Sequence, residues 1–254
     1  MSLPRQVLPA GFHLITRRCT QRQYIFRPDA QTNNNIVYCL AEAARRFGID
    51  VLLTVFESNH HHTLIFDRHG RYPEFLQHFH KMLARCQNAL RRRWENLWSS
   101  DAPCVTRLLD RATVIAKLIY AASNPVKDGL VERATQWPGV NAYRELLSGR
   151  PLTATRPRHF FRDRGVMPAE VSLSLSIPAE LGDPDDVIAE VEAGVREIEE
   201  ERRRLRAATG ARVLGRRAIL AQRWFDAPTD LTPFSRPAFA SLGLVGAGVR
   251  TRSA

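Results

Sequence analysis

Asn59-His60-His61-His62-Thr63-Leu64-Ile65-Phe66 follows an apolar run, Val51 to Phe56, across the short link Glu57-Ser58-Asn59. Both runs have strand length and strand composition, and so short a link suits an antiparallel pair, so the histidines begin the return strand beside the turn. Side chains alternate faces along a strand, which sends His60 and His62 to one face and His61 to the other. Two neutral imidazoles on a rigid strand make a claw for a divalent metal, with positions left open for substrate oxygens if one more protein ligand joins them. Taken alone, three adjacent histidines also read as a solvated loop or a hairpin end.

A second signal lies downstream, in Ala112-Thr113-Val114-Ile115-Ala116-Lys117-Leu118-Ile119-Tyr120-Ala121-Ala122-Ser123-Asn124-Pro125-Val126. Val114, Ile115, Leu118 and Ile119 give an apolar stripe of helical period, and Pro125 disfavours helical geometry at Asn124. Tyr120 and Asn124, four residues apart, share a face, so a phenol and an amide oxygen can address one small site. The structural alternatives are a half-buried helix tyrosine and a helix C-cap ahead of a proline.

Together the two segments resemble the REP-associated tyrosine transposases, a branch of the single-tyrosine HUH transposases. The motifs are Asn59-His60-His61-His62 and Tyr120-Ala121-Ala122-Ser123-Asn124-Pro125-Val126-Lys127-Asp128-Gly129-Leu130-Val131, with Ala10-Gly11-Phe12-His13-Leu14-Ile15-Thr16-Arg17-Arg18 and Arg27-Pro28-Asp29 ahead of them. In order and spacing the likeness covers residues 5 to 147. It implies an endonuclease and strand-transfer enzyme acting on single-stranded DNA, often at hairpins. By position it makes His60 and His62 metal ligands, Asn124 the third, amide ligand, and Tyr120 the nucleophile. The cofactor implied is Mg2+ or Mn2+, and the product a 5′-phosphotyrosine. Two positions depart from the family pattern: Glu57-Ser58 stands where Met-Pro is common, and Asp128 where a small residue is usual. Glu57 reads as a solvent-facing residue at the strand end, outside the site.

Composition points to the same class of partner. A formal charge of +11 over 254 residues, dominated by arginine, attracts polyanions and says nothing about fold. Arg17-Arg18, Arg22, Arg45-Arg46, Arg91-Arg92-Arg93 and Arg156 to Arg164 are candidates for a phosphate track. Tyr24, Trp94, Trp98 and Phe160-Phe161 are candidates for base stacking, with Trp94 and Trp98 also readable as core. Cys19, Cys39, Cys86 and Cys104 form no CxxC pair and follow no secretory signal, which fits reduced thiols in a cytoplasmic protein. No apolar stretch is long enough to span a bilayer. Two other functions stay open: a non-catalytic or domesticated nucleic-acid-binding descendant of such an enzyme, and a structural zinc protein, which lacks Cys or His at the usual partner spacing. The sequence does not choose between monomer and homodimer.

Along the chain the pattern predicts a strand over Phe12–Arg18, a helix over Thr32–Phe47 stopped by Gly48, strands over Ile49–Phe56 and His60–Phe66, and a long helix from Pro73. His78 and His80 read as surface or packing residues on that helix. A strand at Cys104–Leu108 and the tyrosine helix follow. This order predicts an α+β fold, a ferredoxin-like antiparallel sheet with helices on one face, which is the HUH endonuclease fold, plus a mainly helical C-terminal extension. The expected organisation is a transposase domain over 1–148, a linker with a short strand over 149–182, a helical extension over 183–225 and a flexible tail over 226–254. Within it, Val171–Ile177 alternates as a strand. Asp183-Pro184 opens a helix braced by Glu192/Arg196, Glu199/Arg203 and Glu200/Arg204, and a shorter helix runs over Val213–Trp224.

Overall fold

The computed structural model describes residues 7–229 and the backbone of a two-residue strand at 239–240. Four strands, β1 (Gly11–Arg18), β2 (Ile49–Phe56), β3 (His60–Asp67) and β4 (Cys104–Leu108), form an antiparallel sheet in the order β2-β3-β1-β4. The short segment Phe239–Ala240 adds a parallel edge beside β4. The four predicted strands of this sheet sit where the sequence pattern put them, within a residue at each end. The expected flexible tail lies mostly outside the described residues.

Helix α1 (Ala30–Phe47) is opened by the Asp29 side chain, which accepts from the Thr32 amide at 2.7 Å, and closed by Gly48 in the left-handed region at φ 65°. Helix α2 (Tyr72–Arg91) lies beside it, with Pro73 in its first turn, where a missing N–H costs nothing. These two helices make the expected layer on one face. Ile15, Val51, Phe56 and Ile65 of the sheet meet Tyr38, Leu40, Phe75 and Phe79 there, each fully or almost fully buried and each contributing roughly 1.5–3 kcal/mol.

The opposite face is covered as well. Helix α3 (Arg111–Ala122), capped by the Asp110 carboxylate, crosses to that side and packs on β2 and β3 with Leu14, Leu53, Leu64 and Phe66 beneath it. A sheet buried on both faces explains why β2 and β3 read as continuous apolar runs with little alternation.

One irregularity decides which face each residue takes. The β2–β3 register slips between Val51 and Leu53, so Leu52 is a bulge residue. Leu52 and Leu53 then point to the same side, and Val55 rather than Thr54 pairs with His62 on the α3 face.

Beyond α3 the chain continues through α4 (Asn124–Lys127) and α5 (Tyr143–Ser148). Two short strands, β5 (Leu152–Thr155) and β6 (Glu170–Leu173), pair with each other and lie against α1. The predicted strand at Val171–Ile177 is therefore shorter than its alternation, and its partner lies in the Pro- and Arg-rich stretch. Helix α6 (Pro184–Thr209) runs from the Asp183 cap to Gly210, and α7 (Gly215–Ala221) follows. The Glu192/Arg196 and Glu200/Arg204 pairs form as expected. Arg203 pairs with Glu200 rather than Glu199, whose carboxylate instead accepts the Ala134 amide at 2.8 Å. No helix among the described residues is long and apolar enough to cross a membrane.

Val187, Val191 and Val195 of α6 are buried against the α3 side of the core, and Gly194 sits where the two helices approach most closely. A Cβ added there would fall 2.9 Å from Ile119 Cγ1 and closer still to its Cδ1. Gly194→Val should therefore cost about 1–3 kcal/mol of stability in urea unfolding, and adding Ile119→Ala should recover part of that loss.

Candidate functional site

Strand β3 presents His60 and His62 on the α3 face and His61 on the other. His61 stacks on Phe56 at 4.7 Å between ring centroids and meets His80 Nε2 at 3.0 Å in the buried α2 layer, so it takes no part in the site. His80 is thus a packing residue, and His78 bonds the Glu42 carboxylate at 2.6 Å. The His60 and His62 rings stand 5.0 Å apart, nearly perpendicular. His60 Nδ1 lies 2.8 Å from Asn59 Oδ1, an acceptor only, and His62 Nδ1 lies 2.8 Å from the Thr16 hydroxyl on β1. With each Nδ1–H donating to its oxygen, both Nε2 atoms carry their lone pairs on the cavity side, that of His60 facing the Asn124 amide.

Burial pushes the His60 imidazole down to about 3, with Arg18 and Arg22 adding to the effect. His62 is also driven well below its ordinary value, by burial first and then by its histidine neighbours. Both rings are neutral at physiological pH, which is the ligating form.

The tyrosine helix closes the cavity. Tyr120 packs edge-on against His62 of the same chain, with centroids 5.3 Å apart, and the Lys127 ammonium lies 4.0 Å from the centre of the phenol ring. Asn124 Nδ2 is 3.4 Å from His60 Nε2 and donates to Glu57 Oε1 at 2.9 Å. Helical geometry does not stop ahead of Pro125: Ser123 is the junction, and α4 restarts at Asn124 with the proline in its first turn. That restart keeps Tyr120 and Asn124 directed at one place. His60, His62, Tyr120 and Asn124 all line one cavity of about 740 Å³, joined by Arg18, Arg22 and Asp128.

Glu57 corrects the sequence reading. Only 5% of it is exposed, and besides Asn124 it hydrogen-bonds the Asp128 carboxyl. The link between two strands is ordinarily solvated, but here α4 folds over it, and no local pattern announces that. Burial, and then the charge of Asp128, holds the Glu57 carboxyl well above the usual carboxylate range; burial raises Asp128 too. The two hydrogen-bonded carboxyls, both raised, therefore hold a proton between them. Burial, Asp128 and Glu57 also raise the Tyr120 phenol, opposed by Arg18.

The donor set is two neutral imidazoles, an amide and a carboxyl. The described residues contain no group of three or more His, Cys, Asp or Glu arranged to hold a metal. A cation here would thus take Asn124 beside the two histidines, and the oriented Nε2 pair fits that role. Of the arginine clusters, Arg18 and Arg22 reach the cavity. Arg17 turns to the other face, 4.9 Å from the Trp98 ring, which is core rather than a stacking surface.

No family model and no curated protein matches the chain. Among solved structures, it is similar to that described as "Structure of the REP associates tyrosine transposase bound to a REP hairpin", with 14% identity and a TM-score of 0.49 over 70% of this chain and 99% of that one. It is also similar to a putative transposase from Deinococcus radiodurans R1, with 14% identity and a TM-score of 0.34 over 46% of this chain and 93% of that one. At these scores the chemistry must come from the side chains themselves.

A carboxyl raised in the folded state lends its full stability below the unfolded value of 4.5 and loses it as pH climbs through the folded value. Glu57→Gln keeps an acceptor for Asn124 and supplies Asp128 with a donor that does not titrate. In metal-free buffer this variant should melt near the parent at pH 4.5 and increasingly above it as pH rises; a constant difference would contradict the proton assignment.

Proposed function

We propose that this protein is a metal-dependent endonuclease and strand transferase for single-stranded or hairpin DNA, a tyrosine transposase of the REP-associated kind, with Tyr120 as nucleophile. The observation that carries the reading is the convergence of His60, His62, Tyr120 and Asn124, far apart in sequence, on one cavity within a single chain. The arginine-rich surface and the formal charge of +11 suit a phosphate backbone as partner.

His60 and His62, with the Asn124 amide, would hold Mg2+ or Mn2+, which when bound polarises the scissile phosphate and offsets its growing charge. Tyr120 Oη attacks the phosphorus and loses its proton. The bond to the 3′ oxygen breaks, that oxygen gains a proton, and a 5′-phosphotyrosine is left. No oxidant or nucleotide is consumed, and a later attack by another 3′ hydroxyl reseals DNA from the same bond energy. Arg18 lies close enough to oppose the rise in the phenol pKa, and Lys127 sits over its ring, so both cations favour the charge that attack develops.

One observation favours the second reading, a domesticated binding protein that does not cut. The neighbouring carboxyls and burial raise the phenol, which is the wrong direction for a nucleophile acting without added positive charge.

Incubation with single-stranded DNA and Mg2+ or Mn2+ should give an adduct that survives denaturing electrophoresis, absent in Tyr120→Phe and reduced at least about 100-fold in His62→Ala. Adduct formation by Tyr120→Phe would sink the nucleophile assignment. DNA binding without any adduct from the parent protein would select the second reading.

A further inference from the structure

At the mouth of the same cavity the C-terminal extension returns to the sheet and sets down two aromatic rings. Trp224 and Phe225 meet edge-to-face at 5.3 Å between centroids, and Phe225 is 48% exposed. The flanking residues Gln222 and Pro228 both line the cavity, as do Arg22 and Tyr24 across from them. The segment is held there by several bonds: Gln222 Oε1 accepts from Ser58 Oγ at 2.8 Å, the Gln222 carbonyl accepts from Arg27, and the Asp226 carbonyl accepts from the Tyr24 amide at 2.8 Å. The rings are therefore anchored beside the histidine strand.

Cations frame them. The Arg93 guanidinium lies 5.6 Å from the Trp224 centroid and bonds Gln23 Oε1 at 3.1 Å, while Arg223 lies 4.9 Å from the Phe225 centroid. Next to Arg93, Trp94 is 92% exposed. Phe225 and Trp94 face water and Trp224 is half-buried, and beside the guanidinium groups they present both things an unpaired nucleotide needs: a flat π-face for the base and positive charge for its phosphate, chiefly from Arg93 because Arg223 is paired with Asp226 at 3.0 Å.

We propose that Trp224 and Phe225 form a stacking subsite for unpaired bases of single-stranded nucleic acid next to the cleavage point. This rests on the reading of the cavity as a DNA-cleaving site and adds to it where the strand leaves that site. A duplex hides its base faces, so the platform selects for unpaired strand and leaves duplex binding to the arginines.

The test uses the full chain in EDTA, so that binding is read apart from cutting. Fluorescence anisotropy would follow a labelled oligothymidylate of about ten nucleotides and a duplex of similar length. Trp224→Ala combined with Phe225→Ala should weaken oligothymidylate binding about 10-fold or more and change duplex binding less than about twofold. Trp224→Tyr combined with Phe225→Tyr, which keeps both ring faces, should bind near the parent level. Unchanged oligothymidylate binding in the alanine variant, an equal loss on duplex, or parent-like affinity for a poly-glutamate peptide would each overturn the subsite. A parent protein that binds through these rings yet forms no Tyr120 adduct would leave the platform standing and remove the nuclease. An adduct-forming parent whose alanine variant still binds oligothymidylate normally would do the reverse.

Discussion

Everything at the site depends on the antiparallel registration of β3 between β1 and β2. Pairing of Arg18 with His60, Thr16 with His62 and Val55 with His62 fixes the two imidazoles on one face and supplies the hydroxyl that orients one of them. A slip of one residue would exchange His62 for His61 and dissolve the claw. The bulge at Leu52 protects against that slip, because it reverses the facing of β2 at the one point where the two flanks of the strand need opposite sides.

The second face of the sheet is built around the tyrosine. Helix α3 lies on β2 and β3, α6 lies on α3 with Gly194 admitting Ile119, and the stretch after α6 bonds the backbone at Gly129 and Leu130 through the Leu214 and Gly215 amides. The helix that carries Tyr120 is thereby held against the sheet, with the phenol edge-on to His62 of the same chain.

Electrostatics divides the cavity into two parts. The imidazoles are kept neutral by burial, the Glu57–Asp128 pair holds a shared proton, and Arg18, Arg22 and Lys127 supply positive charge around them. On the proposed reading, these cations would draw a phosphodiester while the neutral imidazole nitrogens would serve as ligands. Cations surrounding the histidines also help to keep them unprotonated, so one charge distribution serves both ends.

The sequence by itself determined the local elements and the candidate site residues: alternation set the faces of His60, His61 and His62, helical spacing joined Tyr120 to Asn124, and Gly48 and Asp183 marked helix ends. These are short-range properties, carried by backbone periodicity and by side chains that satisfy nearby N–H groups. Only the tertiary structure decided that Glu57 is buried, that Arg18 reaches the cavity while Arg17 packs on Trp98, that Trp98 is core while Trp94 is exposed, and that the segment carrying Trp224 and Phe225 returns to the cavity mouth. Each of these depends on contacts between segments tens to hundreds of residues apart, where burial is set by what packs on top, and no local pattern encodes the covering element.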